Sequence, residues 1–282
     1  MSLLDRIKNC NNSEDLSDFR EFSILGTPVG WVHHDFFGVL KRFDSVFEFS
    51  DQRISLSDDL KNYEDRTKAF ALVLDSLVEE RWVAGWRDEA YPVGEGFYST
   101  PFLEMDRSAV PRFGVAAYGI HINGFVRDKD ELMMWIGRRA DDKPTYPGML
   151  DNMVAGGQPV GLGLVENLVK ECAEEATIPA EIAHKAKPVG SISYRHLENN
   201  CVKPDVMFVF DLELPPEFTP VNNDGEVAEF NLLPAHEVMS ITSDTTAFKF
   251  NCAAVNIDFF IRHGILHPDH PDYIEIQRGL HK

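Results

Sequence analysis

The chain has 282 residues, of which 44% are hydrophobic, and its formal net charge is −19. This length and apolar content suffice for a substantial core, in one elaborated domain or in two. Because nucleic acids are bound by clustered lysine and arginine, so acidic a chain is not expected to bind them. It also lacks an apolar run of the roughly 18 residues that a membrane span requires, so we expect no membrane partner.

The first ten residues mix charged with apolar positions, which predicts a short amphipathic helix and not a secretory signal. The cysteines are scattered without C-x-x-C spacing, which predicts reduced thiols and not a zinc site or a disulfide framework. We therefore expect a cytoplasmic protein. The four cysteines are Cys10, Cys172, Cys201 and Cys252.

Residues 1–110 are predicted to form a smaller α+β N-terminal domain. Short apolar runs bounded by turn residues predict strands, and helical periodicity predicts a helix at 68–81. A further β segment is expected at 97–102. The four early strands are predicted at 22–25, 30–33, 46–49 and 53–56.

Residues 111–282 are predicted to form the second domain. Its first strand, at 113–122, is expected to turn at Asn123-Gly124 into a strand at 132–136, because Asn-Gly between two apolar runs favours a hairpin. Mixed strands with helices on both faces predict an α/β/α sandwich. The other predicted elements are strands at 152–155, 190–194, 206–212 and 227–233 and helices at 234–239 and 247–263.

Residues 156–178 carry the most informative pattern, a glycine-rich loop followed by a helix with three glutamates. Glu171, Glu174 and Glu175 are spaced to share one helix face, where their charges repel unless something neutralises them. Hard oxygen ligands beside a phosphate suit Mg²⁺ or Mn²⁺. Gly156 and Gly157 would allow close approach of a ligand. The alternative is an ordinary solvated acidic face. An apolar stripe favours the metal site, because it places the acids beside the core: Val165, Leu168, Val169, Cys172 and Ala176.

This segment resembles the box of the Nudix hydrolase superfamily, G-x5-E-x7-R-E-U-x-E-E-x-G-U with U aliphatic. Gly156 matches the opening glycine, Ile178 matches the closing aliphatic residue, and the three glutamates match the acidic positions that carry metal and catalysis in that superfamily. Four positions depart from the pattern, where Leu162 replaces Glu, Lys170 replaces Arg, Cys172 replaces the aliphatic residue and Thr177 replaces Gly.

Residues 135–179 and parts of both halves of the chain also resemble the thiamin pyrophosphokinase-related Nudix proteins, which carry an extra N-terminal domain. The resemblance extends over nearly the whole chain and includes residues 30–32, 107–124 and 267–273. It implies a small-molecule substrate, thiamin diphosphate or preferentially its damaged oxy and oxo analogues. The expected products are the monophosphate and inorganic phosphate.

The candidate site extends beyond the box. Glu171 is one candidate general base, and Glu226 and Glu229 are others, on a later loop that could equally be a plain turn before a strand. Cations are expected to bind the diphosphate, and aromatic rings could stack on a heteroaromatic cation. The candidate cations are Arg138, Arg139 and Lys143, and the candidate rings are Trp135, Tyr146 and Tyr194.

Two other functions stay open. One is a Nudix pyrophosphatase for another diphosphate, such as a nucleoside diphosphate sugar, a coenzyme A species or an isoprenyl diphosphate. The other is a ligand-sensing protein that kept the fold without turnover, which Leu162 favours and the intact three-glutamate cluster disfavours. A homodimer is possible, because dimers are common in this superfamily.

Overall fold

The structure is a computed structural model that describes residues 1–84, 86–129 and 131–282. No helix within these ranges combines the length and apolar character needed to cross a bilayer. The elements before residue 118 are α1 (Leu3–Cys10), β1 (Phe19–Ile24), β2 (Thr27–His33), α2 (His34–Leu40), β3 (Phe47–Phe49), β4 (Arg53–Leu56), α3 (Tyr63–Glu79), β5 (Ala90–Val93), β6 (Leu103–Asp106) and α4 (Val110–Phe113). Those that follow are β7 (Tyr118–Asp128), β8 (Glu131–Arg139), β9 (Leu150–Asn152), β10 (Val154–Gly157), α5 (Leu164–Ala176), α6 (Ala180–Ala183), β11 (Lys187–Ser193), β12 (His196–Glu198), β13 (Cys201–Lys203), β14 (Val206–Glu213), β15 (Val227–Pro234), α7 (Ala235–Asp244), α8 (Phe250–Arg262) and α9 (Tyr273–Gly279).

The four early strands form one sheet in the order β2-β1-β4-β3, in which only β1 and β4 are parallel. This confirms the strands predicted for the N-terminal part. Its core is rich in phenylalanine: the Phe113 ring centroid lies 5.4 Å from that of Phe22, 5.3 Å from Phe36 and 4.7 Å from Phe70. Phe113 therefore packs with the N-terminal part, although we predicted it at the start of a strand of the second domain.

Helix α1 packs against helices of the C-terminal half. Ser2 caps the helix, because its Oγ accepts from the Asp5 backbone N–H at 3.2 Å while the Asp5 carboxylate accepts from the Ser2 N–H at 2.8 Å. Its apolar face, with Leu3 and Ile7, is buried in the core cluster that contains α8 and α9. The N-terminal helix thus completes the core of the C-terminal half.

A seven-stranded mixed sheet forms the second half. Its main path is β11-β14-β7-β8-β15, while β10 pairs with β7 and β9 pairs with β8. Strands β14 and β7 are parallel, and the other pairs are antiparallel. The central strands β7 and β14 place their first residues at one end of the sheet, next to β10.

Alternate residues of these strands enter two different cores, as the two-residue period of a strand requires. Met134 and Ile136 pack with α7 and α8, whereas Trp135 between them packs with α5. Val209 and Phe210 divide in the same way. Helices therefore cover both faces of the mixed sheet, which confirms the predicted α/β/α sandwich.

The predicted turn at Asn123-Gly124 is wrong. Strand β7 continues to Asp128, and both residues lie inside it. Asn123 is buried and donates from Nδ2 to Asp211 Oδ1 at 3.1 Å, while the Met153 side chain fills the space that a Cβ on Gly124 would need. Packing and a buried hydrogen bond, rather than turn geometry, account for this Asn-Gly pair.

Two further expectations need correction. The segment 97–102 forms no strand but connects β5 to β6, and its Phe97 ring packs on Tyr118 and Phe208 at 5.0 and 4.8 Å. The strand expected at 113–122 begins only at Tyr118, because Gly114 ends α4 with a left-handed φ of 58°. The helices predicted at 68–81, 234–239 and 247–263 are confirmed as α3, α7 and α8 with shifted ends.

Candidate active site

Helix α5 carries the three glutamates along the edge of the sheet. Leu168, Cys172 and Ala176 bury its inner face, whereas Val165, which we expected in the same stripe, is 54% exposed. The helix ends at Thr177, which adopts a left-handed φ of 52° and donates from Oγ1 to the Val221 carbonyl at 2.7 Å. A left-handed φ favours glycine, so this geometry explains why the Nudix box has Gly at the position of Thr177.

Two of the glutamates point toward β10. The Glu175 carboxylate is buried and accepts from the Ala155 backbone N–H through Oε2 at 2.9 Å. The Glu171 carboxyl group lies over Gly156 and occupies the space that a Cβ there would need. Glycine at position 156 therefore lets the acid contact the strand backbone directly.

Glu174 takes a different direction. It is about half exposed and accepts from Lys170 Nζ at 2.7 Å, and the same nitrogen lies 3.1 Å from Glu171 Oε1. Among the described residues, the groups whose three donor atoms lie within 4.8 Å of one another do not include this triad. Lys170 thus supplies a counter-charge to two of the acids, and the convergence predicted from helical spacing is only partial.

The environment of the buried acids suits a cation. Burial raises the pKa of Glu171 above its ordinary value, against the opposing effect of Lys170. Burial also raises the pKa of Glu175 well above its ordinary value, although the Ala155 N–H opposes this, and the neighbouring Glu171 raises it further. Two carboxylates that burial disfavours as free anions, with hard oxygen donors, fit a divalent ion such as Mg²⁺.

A cavity of about 210 Å³ opens beside Gly156 and Gly157. Both halves of the chain build it, which is common for ligand sites. The residues from the N-terminal part include Tyr91, Arg107, Val110, Pro111 and Val115. Those from the sheet and α8 include Tyr118, His121, Tyr146, Tyr194, Lys203, Asp205, Lys249 and Phe250.

Tyr146, one of the predicted aromatic residues, lines this cavity and is already approached by two lysines. Lys203 Nζ lies 5.5 Å and Lys249 Nζ 5.8 Å from the centre of its ring. The Tyr146 hydroxyl donates to Glu198 Oε2 at 2.5 Å, and Lys203 lies 2.6 Å from the same oxygen. The predicted stacking of a cationic ligand on Tyr146 therefore meets two positive charges.

Buried polar groups line the floor of the cavity. The Tyr194 hydroxyl donates to Asp205 Oδ2 at 3.0 Å, and burial raises the pKa of Asp205. Burial, with a smaller effect of Lys249, lowers the pKa of His121 to about 4. The His121 ring is therefore neutral at physiological pH, with Nδ1 2.8 Å from Asn152 Oδ1.

His121, Asp151 and Cys252 bring donor atoms within 4.8 Å of one another, but hydrogen bonds satisfy the group. The Cys252 thiol donates to Asp151 Oδ1 at 2.7 Å, and Arg139 Nη1 lies 2.9 Å from Asp151 Oδ2. Burial raises the pKa of Cys252 well above its ordinary value, which opposes formation of a thiolate ligand. This cluster stabilises the sheet and α8.

The cations predicted to bind the diphosphate have other partners. Arg138 pairs with Glu229 at 2.9 Å and Asp141 at 2.8 Å, and Arg139 pairs with Asp151. Lys143 pairs with Glu226, the alternative base. The described residues that line the cavity include none of these side chains.

Trp135 is also displaced from its predicted role. Its ring is 8% exposed and packs in the core beneath α5, where Nε1 is buried and has no hydrogen-bond partner in the described structure. Of the predicted residues, Tyr146, Tyr194, Gly156 and Gly157 line the cavity. Sequence reasoning missed Tyr91, Arg107, Lys203 and Lys249 as lining residues. No local signal marks them, except that Arg107 opens a segment that resembles the thiamin pyrophosphokinase-related proteins.

Comparisons with known proteins place this geometry in a family. A family model described as "Domain of unknown function (DUF4743)" matches residues 2–117. Two Arabidopsis thaliana proteins, "Nudix hydrolase 20, chloroplastic" and "Nudix hydrolase 24, chloroplastic", are 42% and 41% identical to the chain. Each match covers 98% of this chain, and they cover 76% and 77% of those proteins, respectively.

Among solved structures, a MutT/nudix family protein from Enterococcus faecalis also matches, at 13% identity and a TM-score of 0.42. That match covers 82% of this chain and 81% of the other. The aligned region in these two relatives spans almost the entire chain at more than 40% identity, and it includes the glutamate helix, its glycine loop and the N-terminal part. On the evidence of the two Arabidopsis relatives, the chain belongs to the Nudix hydrolases, enzymes that cleave diphosphates with the help of divalent metal ions.

Proposed function

We propose that this Nudix hydrolase cleaves thiamin diphosphate and, preferentially, its damaged oxy and oxo analogues, to the monophosphate and inorganic phosphate. The observation that carries the proposal is the cavity beside Gly156, whose far end combines aromatic rings with Lys203 and Lys249. The resemblance of the chain to the thiamin pyrophosphokinase-related proteins suggests the thiamin class. The cavity supplies a physical reason for preferring the oxo form, and the preference for the oxy form, which keeps a charged thiazolium, is carried over from the resemblance alone.

Charge beside Tyr146 distinguishes the intact thiazolium from the neutral ring of the oxo form. The thiazolium of thiamin diphosphate carries a positive charge, which Lys249 beside Tyr146 would repel, while Lys203 adds less because it is paired with Glu198. An oxo analogue has a neutral ring and a carbonyl oxygen, which a lysine ammonium can hydrogen-bond. The same lysines therefore penalise one ligand and favour the other.

The diphosphate would lie where the cavity reaches Gly156 and Gly157, beside Glu171, although in the described part of the chain the three glutamates do not themselves line the cavity. Glu171, Glu174 and Glu175 would bind Mg²⁺ or Mn²⁺, with Glu174 released from Lys170. When bound, such ions neutralise charge on the phosphoryl oxygens and lower the pKa of a coordinated water. Glu171 is the preferred general base, because burial raises its pKa and it lies at the strand backbone next to the cavity. Glu226 is less suited, since it pairs with Lys143.

The loop before the helix is supported without a glutamate at position 162. Asn167 is fully buried and donates from Nδ2 to the Gly157 carbonyl at 2.7 Å, and Gln158 Nε2 donates to the Leu162 carbonyl at 2.6 Å. These bonds fix the glycine loop from the helix side. They weaken the argument that Leu162 makes the protein a binder without turnover.

The test is phosphate release with Mg²⁺ from thiamin, oxythiamin and oxothiamin diphosphates, with ADP-ribose and coenzyme A assayed for cleavage alongside. We expect the oxo and oxy compounds to have the highest kcat/KM. Glu175→Gln should abolish turnover, while Glu166→Gln, an exposed acid in the first turn of the same helix, should retain it. Preference for ADP-ribose or coenzyme A would replace the substrate assignment, and metal-dependent binding with no product from any compound would indicate a sensor.

A further inference from the structure

One wall of the cavity comes from the N-terminal part, and Arg107 is its charged member. The residue directly follows β6, and its backbone N–H donates to the Glu89 carbonyl at 2.9 Å. The preceding Asp106 is buried and accepts from the Ser108 N–H at 2.9 Å and the Arg87 N–H at 3.1 Å. This turn holds the Arg107 Cα in a defined place.

The Arg107 side chain reaches across to the glycine strand of the second half. Its Cζ lies 3.3 Å from the position that a Cβ on Gly157 would occupy, and 5.7 Å from the centre of the Tyr91 ring. Nη1 donates to Glu89 Oε2 at 2.8 Å. The side chain is half exposed and lines the cavity, so part of the guanidinium remains available to a ligand.

The charges around Arg107 favour its ionised form. Burial alone would lower its pKa, but Tyr91, Glu89 and Glu171 outweigh that effect and raise it. The arginines that the sequence suggested for this role, Arg138 and Arg139, are paired with acids outside the cavity.

We propose that Arg107 binds the diphosphate of the substrate, so that the N-terminal part completes the active site. A guanidinium presents its N–H groups in a planar fork that matches two phosphate oxygens. Glu89 orients the fork by engaging Nη1. The inference rests on the proposed function only in requiring a diphosphate ligand, and it does not depend on which ring the substrate carries.

The experiment measures binding of methylenediphosphonate, a ring-free and non-hydrolysable diphosphate, by calorimetry with Mg²⁺ present. We expect Arg107→Ala to weaken binding about 10- to 100-fold, as loss of a charge-assisted contact would. Arg107→Lys should lie between, because it keeps the charge without the fork. The matched control is Arg127→Ala, which removes an exposed arginine paired with Glu213 at 3.5 Å and should bind as the wild type does.

A structural ion pair would give a different pattern. Glu89→Gln removes the partner and keeps the arginine, so affinity for the diphosphonate should stay within about twofold of the wild type if Arg107 binds phosphate directly. Wild-type affinity in Arg107→Ala, or an equal loss in Glu89→Gln, would overturn the proposal. If Arg107→Ala does not fold, Arg107→Lys decides, since undiminished affinity in that variant excludes a role for the fork. A protein that binds the diphosphonate through Arg107 but spares thiamin compounds would refute only the substrate assignment.

Discussion

The Tyr91 hydroxyl lies where a Cβ atom on Gly157 would stand, so a core residue of the N-terminal part contacts the backbone of the glycine strand. Tyr91 is 3% exposed, and it cannot move away without disturbing its own core. The contact positions β10 against the pair β5 and β6. The N-terminal part therefore fixes the distance across the cavity.

Gly157→Ala should consequently damage the site. The added methyl group would displace the Tyr91 ring, with a loss of about 1–3 kcal/mol in the free energy of unfolding, as for other overpacked cores. We expect kcat/KM to fall at least tenfold, because the Arg107 wall moves with Tyr91. Gly163→Ala is the control, since a Cβ at Gly163 meets no atom within 4 Å and its φ of −73° suits alanine. Partial recovery in Gly157→Ala with Tyr91→Phe would identify the hydroxyl as the obstacle.

Glu175→Gln should separate stability from metal binding. Because burial raises the pKa of Glu175, the ionised acid destabilises the metal-free fold above its unfolded pKa, and the neutral amide does not. The metal-free variant should therefore melt at a higher temperature than the wild type at pH 8. Stabilisation by added Mg²⁺ should disappear in the variant. The melting temperatures of the wild type and the variant are measured without Mg²⁺ and with about 5 mM Mg²⁺. An unchanged response to Mg²⁺ in the variant would exclude Glu175 as a metal ligand.

Glu171→Gln and Glu226→Gln should distinguish the two candidate bases. Glu171 is partly buried beside Gly156, whereas Glu226 pairs with Lys143. We expect kcat to fall by roughly 100-fold or more for Glu171→Gln and less than tenfold for Glu226→Gln. Single-turnover rates at saturating Mg²⁺ are the measurement. The reverse order would assign the base to the later loop.

His121 should make the stability depend on pH in mildly acidic solution. The pKa of His121 is lowered to about 4 in the folded protein. The contribution of the neutral ring to the free energy of unfolding is therefore fully present above pH 6.5 and is lost as the pH falls from 6.5 toward 4. The loss approaches about 3 kcal/mol in the free energy of unfolding. Urea unfolding of the wild type and of His121→Gln between pH 4.5 and 7.5 (roughly the window that the two pKa values define) tests this. The difference between the two proteins should shrink as the pH falls, and a constant difference would contradict it.

Lys249→Met should weaken the discrimination between damaged and intact rings. Removing one positive charge near Tyr146 reduces repulsion of a thiazolium by roughly 1 kcal/mol, which is about fivefold in relative kcat/KM. Steady-state rates on oxothiamin and thiamin diphosphates give the ratio. Lys185→Met, an exposed lysine outside the cavity, serves as the control. An unchanged ratio in Lys249→Met would show that other residues determine the preference for the oxo form.

Local sequence patterns predicted the elements that local forces determine. The periodicity of α3, α5 and α8 and the glutamate spacing all depend on neighbours within a few residues. The Asn123-Gly124 turn failed because a partner 88 residues away, Asp211, engages Asn123 inside the strand. The predicted turn chemistry was correct in general, and tertiary contacts overrode it here.

The predicted cations show the same limit. Arg138 stands opposite Glu229 across the β8–β15 pair, and this register supplies an acid that the sequence alone does not place there. Arg107 was not proposed as a ligand, since nothing near it in the chain indicates that β6 ends against Gly157. Contacts between the two halves set both outcomes. The sequence therefore located the glutamate helix, Tyr146 and Tyr194, but not the cationic residues that line the cavity.

Helix α1 has a consequence for how the protein can be divided. A fragment that begins at residue 111 would retain the whole glutamate helix and sheet but leave the groove between α8 and α9 without Leu3 and Ile7. At Gly279 the groove leaves no space for a Cβ, because Ile7 fills it. Helix α1 thus packs over the last helices of the same chain. A synthetic peptide of residues 1–12 should therefore restore the stability of such a fragment in trans.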